Sequence, residues 1–349
     1  MFEPRFTITN AITANLTTIE RAVGFMSAAQ LSDDWIRDMQ ANALTLEAHH
    51  TTHIEGTQLT LEQATQLLAG QTIPEADPDD VRELLNYRTA FDLVAEYVGS
   101  GEPMTEALIR EIHKRLVKDV RGGSATPGQY RLGQNLIVNS VTRETVYTPP
   151  PAHEVEPLMT DLVQWLNADT RINTVLVSGI AQFQLVHIHP FIDGNGRTAR
   201  LLATLVMYRG NYDFKRLFTI SEFYDRDRSA YYAALQSVRG HDMDMTGWLE
   251  YYVGGLATQM QEVRSKGELV IKTSILLIKA GAAGLSGTAL SVFSAILKDG
   301  VNTPLALEAK LHMNRRTLAR HLRKLAEVGL VRAIQSSTND PTSHYEANT

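Results

Sequence analysis

The sequence predicts a mainly α-helical protein that carries one short β-hairpin and ends in a small winged helix-turn-helix module. Apolar residues recur at helical spacing along most of the 349-residue chain. β-prone residues are confined to two short runs, Asn135 to Val138 and Glu144 to Thr148, around a polar turn from Asn139 to Arg143. Near the C-terminus the order is helix, tight turn, basic helix, strand.

Taken in order, the amphipathic pattern gives helices over Ile12 to Met26, Ser32 to His49 and Thr60 to Leu68. Pro74 to Asp80 is an acidic, turn-rich break. Asp79, Asp80 and Glu83 then load the start of a long helix reaching about Tyr97, which suits the positive end of its dipole. Thr105 opens a helix to about Val117, and Arg121-Gly122-Gly123 and Pro127-Gly128 break the chain. Pro149-Pro150-Pro151 closes the hairpin. Helices resume at His153 to Asn167 and Asn173 to Val186. An irregular loop follows Ile188, then helices at Gly196 to Tyr208, Asp227 to Gln236 and Met245 to about Lys266. The terminal module reads as helices Ala289 to Asp299 and Pro304 to Leu311, a turn at His312-Met313-Asn314, a helix Arg315 to Val328 stopped by Gly329, and a strand Leu330 to Ile334. The expected division is an N-terminal helical region (1–110), a core (111–266) and the terminal module (268–349).

Composition removes several function classes. Hydrophobic residues make up 44% and charged residues 21%, ordinary for a globular chain with a sizeable core. The absence of cysteine excludes disulfides, cysteine-ligated zinc and a thiol nucleophile, and fits a reducing, cytoplasmic setting. Met1-Phe2-Glu3-Pro4-Arg5 lacks a signal-peptide pattern, and the most apolar stretch, Leu269 to Leu297, is interrupted by Lys272, Lys279 and glycines, so no membrane partner is expected. The net charge of −6 is uneven: residues 268–349 hold ten Lys/Arg against six Asp/Glu, a formal +4 that leaves −10 on the rest. That asymmetry points to an anionic partner for the terminal module.

The most informative segment is His189-Pro190-Phe191-Ile192-Asp193-Gly194-Asn195-Gly196-Arg197-Thr198-Ala199-Arg200. Pro190 breaks the preceding helix and pushes His189 out of helical geometry. Gly194 and Gly196 let backbone approach a ligand closely, and a helix begins there whose free amides form an anion site. Arg197 and Arg200 are three apart and share a helix face suited to a polyphosphate. Asp193 offers a hard carboxylate for Mg²⁺, and His189 a base that works near neutral pH. Together these describe a phosphoryl- or nucleotidyl-transfer site.

The same run resembles the signature of the Fic family, H-P-F-x-D-G-N-G-R-x-x-R, at every defined position. Pro127-Gly128-Gln129-Tyr130-Arg131, the hairpin and Thr148-Pro149-Pro150-Pro151 resemble that family's flap region. Arg228 to Leu235, with Tyr231-Tyr232, resembles its segment after the motif, and the likeness spans roughly residues 50–260. The resemblance implies a Fic helical core and transfer of AMP from ATP, with Mg²⁺, to a Ser, Thr or Tyr hydroxyl of a target protein or of the chain itself. Carried over by position, His189 deprotonates the hydroxyl and Asp193 binds the metal. Phe191, Gly194, Asn195, Gly196, Arg197, Arg200 and Tyr231 form the ATP site, with Arg200 at the γ-phosphate and Tyr231 against the adenine. Leu136, Ile137 and Val138 pair with an extended target segment. Some relatives carry an asparagine eight residues after the first tyrosine; here that position is Arg239.

Thr51-Thr52-His53-Ile54-Glu55-Gly56 resembles the family's inhibitory motif: Ser or Thr, three residues, Glu, then Gly or Asn. The implied brake pairs Glu55 with Arg200, which then cannot clamp a γ-phosphate. His187, two residues before His189, and the group His49, His50 and His53 read as packed or solvated histidines rather than metal ligands. In the terminal module Arg315, Arg316 and Arg320, with Arg323 and Lys324, line a helix whose Leu318, Leu322 and Leu325 form the opposite face, a pattern suited to DNA phosphates. A homodimer is compatible with a helix-rich chain that carries a docking module. The competing readings are a DNA-binding regulator that uses the core as a nucleotide sensor, and a Fic-type deAMPylase or other phosphotransfer enzyme.

Overall fold

The computed structural model describes residues 2–120, 125–138, 144–168, 170–285, 287–299, 303–334 and 344–348. The expected breaker Arg121-Gly122-Gly123 and the hairpin turn Asn139 to Arg143 lie outside them. Two compact units are present: residues 1–28 with 32–264, and residues 29–31 with 265–349. The described residues form fourteen α-helices and two two-stranded antiparallel sheets, a mainly α fold.

In the first unit the helices are α1 (Asn10–Ala28), α2 (Asp33–Ile54), α3 (Leu61–Leu68), α4 (Pro78–Val98), α5 (Glu106–Leu116), α6 (Val155–Asn167), α7 (Thr174–Ile188), α8 (Asn195–Arg209), α9 (Ser221–Arg226) and α10 (Arg228–Gly240). α11 (Thr246–Ala282) begins there, and strands β1 (Ile137–Val138) and β2 (Thr145–Tyr147) lie between α5 and α6. Polar caps set the starts. Thr60 and Gln63 make a reciprocal capping box on α3, Asp77 caps α4 ahead of Pro78, and Thr105, Asn173 and Asp227 cap α5, α7 and α10. α7 and α8 pack along each other at the centre, with α4 and α5 against α8 and α6 against α7. Almost every side chain from Val175 to Ile188 is buried, as expected of a helix covered on all sides. Trp248 donates its indole N–H to the carbonyl of Gly179, 2.8 Å away.

Two features of this unit were not expected. α9 is only six residues long, and its start is held by a tertiary cap: the buried carboxylate of Glu47 on α2 accepts from the amides of Ile220 (3.0 Å) and Ser221 (3.1 Å) and from the Ser221 hydroxyl. Local periodicity cannot reveal a cap from 170 residues upstream. α11 also runs well past Lys266, where the polar-to-apolar periodicity fades.

In the second unit α12 (Thr288–Asp299), α13 (Pro304–Leu311) and α14 (Arg315–Glu327) precede a hairpin of β3 (Val331–Ile334) and β4 (His344–Ala347). Val331 pairs with Ala347 and Ile334 with His344. β4 was not expected, because its residues, His344-Tyr345-Glu346-Ala347, carry little β-branched signal. Thr303 and Asn314 cap α13 and α14, and His312 closes α13 in a left-handed conformation. The core joins Val292, Phe293 and Ile296 of α12 to Leu307, Leu318, Leu322, Leu325 and Val331. Among the described residues no helix is long and apolar enough to cross a membrane.

A Cβ added at Gly179 would lie 2.7 Å from the Tyr252 ring and 3.1 Å from Leu249. Gly179→Ala is therefore expected to destabilise the protein by about 1–3 kcal/mol through overpacking, read as a lower denaturation midpoint in urea. An unchanged midpoint would contradict this packing.

Candidate active site

α7 ends where Pro190 forbids another turn. His189 takes the left-handed conformation (φ 52°) while its amide still reaches the carbonyl of Leu185 at 2.9 Å. From here the loop's carbonyls are drawn to its back. Arg131 donates from Nε to His189 O (2.9 Å), from Nη2 to Ile188 O (3.4 Å) and from its own amide to Pro190 O (2.8 Å). The side-chain amides of Asn135 and Asn195 both donate to Phe191 O at 2.9 Å. His113 Nδ1 accepts from the Gly128 amide, so its proton sits on Nε2 and goes to Asp193 O, each at 2.9 Å. With the carbonyls engaged behind, the amide-rich start of α8 faces the other way. Its N-cap, Gly194 (φ 78°), supplies no side chain; a Cβ there would lie 2.7 Å from Val117. That end of α8 is built to receive an anion.

The expected site residues take distinct places. His189 is half-buried, with Nδ1 3.4 Å from Val186 O, which leaves Nε2 as the acceptor. Burial pushes its pKa down to about 4, and the charge of Arg131 adds to the effect. Asp193 is 44% exposed; Oδ1 accepts from the Gly194 amide at 2.7 Å, and Oδ2 lies 3.5 Å from Arg197 Nη2. Phe191 is fully buried and stacked on His113, centroids 3.7 Å apart, so it anchors the loop from beneath. Asn195 is buried and spent on Phe191, whose amide it also accepts from at 2.9 Å. Arg197 is 1% exposed and paired with the buried Glu83 of α4, 2.6 Å away.

Arg200 is equally buried and is met chiefly by α2 and its C-cap residue Glu55, with Tyr231 of α10 also against it. Nη2 lies 2.6 Å from Glu55 Oε1 and 3.0 Å from Thr51 O, and Nε lies 2.6 Å from the Thr51 hydroxyl. Burial opposes the Arg200 charge, and the Glu55 carboxylate more than offsets that, so its pKa is raised. Glu55 Oε1 also sits directly against Gly196, where any Cβ would collide with it. The carboxylate thus occupies the anion-receiving end of α8. Sequence reasoning missed Thr51, Glu83, His113 and Arg131 as partners of the motif, because only the fold brings them to it.

On α10 the two tyrosines divide. Tyr231 is buried, stacked on Tyr224 with centroids 4.3 Å apart, whereas Tyr232 is 47% exposed. Leu136 (57% exposed) and Val138 (43%) are open on the hairpin, where Ile137 pairs with Tyr147 and Val138 with Thr145. His187 is packed: its Nδ1 and its carbonyl each lie 2.8 Å from the Tyr147 hydroxyl. His50 and His53 both place Nδ1 2.8 Å from one oxygen of Asp225 on α9. In the second unit Arg315, Arg316, Arg320, Arg323 and Lys324 are all exposed on α14, opposite buried Leu318, Leu322 and Leu325.

Residues 103–207 match the Fic/DOC family and residues 36–96 match the Fic/DOC family N-terminal region. The chain carries a Fic/DOC domain preceded by the Fic/DOC N-terminal region. It is 29% identical over 193 residues to the protein adenylyltransferase Fic of Drosophila ananassae, covering 54% of this chain and 36% of that one. Against the protein of the same name from Drosophila melanogaster the figures are 28%, 54% and 37%. The chain therefore spans little more than a third of the length of these curated relatives. Its fold is shared with a Fic family protein from Desulfovibrio desulfuricans G20, with a TM-score of 0.64 and 23% identity over 99% of this chain and 98% of that one. It is shared also with Fic-1 from C. elegans, with a TM-score of 0.61 and 24% identity over 75% and 74% of the two chains.

Burial holds His49, His113, His187 and His189 at pKa values of about 4, below the ordinary 6.5. Between those values the unfolded chain binds more protons than the folded one, so these groups withdraw stability as pH falls through that window. The melting temperature is expected to drop steadily from pH 7 to pH 5. A flat melting temperature over that range would contradict the burial of these rings.

Proposed function

We propose that this protein transfers AMP from ATP to a hydroxyl of a protein side chain, its own chain included, and that Glu55 holds the activity in check. The observation that carries the reading is the Glu55–Arg200 pair, 2.6 Å apart, lying across the start of α8. A phosphate chain needs that helix end and that guanidinium, and a carboxylate already there repels it. In the active state His189 Nε2 takes the target hydroxyl's proton, and the oxygen attacks the α-phosphorus. The bond to the β-phosphate bridging oxygen breaks, and pyrophosphate leaves. The amides of Asn195 and Gly196, at the start of α8, hold phosphate oxygens, and Arg200, once free of Glu55, meets the γ-phosphate. Arg197 reaches the loop through Asp193 while Glu83 holds its other edge. Residues 111–266 serve as the catalytic core and 1–110 as the segment that brings the brake.

The residues present fit Mg²⁺. Asp193 is one half-exposed carboxylate beside a phosphate site, and Mg²⁺ is commonly held by one or two carboxylates plus substrate phosphates. Bound there, the ion neutralises charge on the phosphate oxygens. Leu136, Ile137 and Val138 pair with an extended target segment, which suits their place on an open hairpin edge.

The second unit supports a second role. Its helix–turn–helix–hairpin order and the exposed basic face of α14, which among the described residues has no acidic partner, fit a winged helix-turn-helix that binds DNA phosphates.

Purified wild type, Glu55→Gly and His189→Ala, each incubated with Mg-ATP and read by intact mass, test the first reading. AMP incorporation should be at least roughly tenfold faster in Glu55→Gly than in wild type, the factor that about 1.4 kcal/mol represents, and absent in His189→Ala. Equal rates in wild type and Glu55→Gly would contradict the brake. For the second role, duplex DNA affinity should fall with salt at a log–log slope of about −4.5 if about five phosphates are contacted. Replacing Arg316 and Arg320 with alanine should reduce that slope by about 2. Absence of binding at low salt would contradict it.

A further inference from the structure

Arg239 stands at the end of α10, and nothing in the mechanism uses it. Its guanidinium carbon lies 3.4 Å from the centroid of the Tyr147 ring on β2, and 5.8 Å from that of Phe183 on α7. Gln236, one turn back, accepts from Arg239 Nη1 at 3.1 Å and donates to the carbonyl of Val146 at 3.3 Å. Tyr147 in turn puts its hydroxyl 2.8 Å from both Nδ1 and the carbonyl of His187, two residues before His189. Arg239 Nε and Nη2 are buried without an acceptor, so the aromatic face is the main compensation for the charge. A buried guanidinium with so few hydrogen bonds is held by stacking, and stacking fixes the ring as firmly as the cation.

We propose that Arg239 is a positioning residue. By stacking on Tyr147 it clamps strand β2 of the hairpin to α10 and to the last turn of α7, and so sets the height of the hairpin above the loop that carries His189. The proposal deepens the reading of that hairpin as the target-binding flap and rests on it for its functional consequence. An asparagine side chain is too short to reach across to the ring and carries no charge to stack, so a chain with asparagine there loses this clamp.

The test is hydrogen exchange on the 349-residue chain, compared among wild type, Arg239→Met, Arg239→Lys, Tyr147→Leu and the double variant Arg239→Met/Tyr147→Leu. Exchange in residues 144–148 should accelerate roughly fivefold in Arg239→Met and in Tyr147→Leu, with no further rise in the double variant. Arg239→Lys, which keeps a cation over the ring, should restore much of the protection. The amides of α8 should be unchanged. In a Glu55→Gly background, Arg239→Met should lower AMP incorporation severalfold while the thermal shift given by Mg-ATP is retained. If the Glu55→Gly parent incorporates no AMP, the AMP-transfer reading fails and the exchange data alone decide the clamp. Unchanged exchange at 144–148, additive effects in the double variant, or an equal rise in α8 would overturn it.

Discussion

The architecture of the site depends on a cation that cannot be left alone. Arg200 is 1% exposed, and a guanidinium in that position needs an anion and satisfied donors. α8 offers neither. The Thr51 hydroxyl and carbonyl of α2 and the carboxylate of its C-cap residue Glu55 provide them. Removing one partner of such a buried pair typically costs about 3–5 kcal/mol; here the figure is lower, because Glu55 is a quarter exposed and Thr51 remains. Under the proposed function an incoming polyphosphate is an alternative anion for the same guanidinium, so that Glu55 and phosphate would compete for one partner rather than act at separate sites.

That competition requires α2 to be held in place. Glu47, two turns before Glu55, caps α9 through the amides of Ile220 and Ser221, and His50 and His53 both meet Asp225 of that helix. The far side of the site is fixed as firmly. Arg131, His113, Asn135 and Asn195 take up the carbonyls of residues 188–191 and 193 from behind, which leaves the loop stiff and its amide side presented forward. A rigid, pre-aimed anion site gains more from each hydrogen bond to phosphate than a mobile loop does, because less ordering is needed on binding.

Much of this was legible in the sequence, and the reason differs from element to element. His189-Pro190, Gly194 and Gly196 act through local backbone constraints, so the loop and the start of α8 could be placed to within a residue or two. The two β-prone runs around Ile137 and Val146, on either side of a polar turn, gave the hairpin. What the sequence hid was tertiary. Phe191 sits in a motif full of ligand-binding chemistry, yet its ring is committed to stacking on His113 beneath the loop. Tyr231 and Tyr232 are indistinguishable in the sequence, and only packing against Tyr224 decides that the first is buried and the second open. Arg197 resembles a phosphate ligand until Glu83, 114 residues away, is found against it. α9 formed where no local signal announced it, because its cap lies on another helix.

In the proposed function Glu55 and the terminal phosphate of the nucleotide share Arg200. Calorimetric titration of Mg-ATP and Mg-ADP into His189→Ala, with and without Glu55→Gly, tests it most directly, since the missing base prevents turnover. Removing Glu55 is expected to tighten ATP binding clearly more than ADP binding, because only ATP carries the phosphate that the freed Arg200 receives. An equal gain for both nucleotides would contradict it, and would mean that Glu55 acts on the α8 terminus alone.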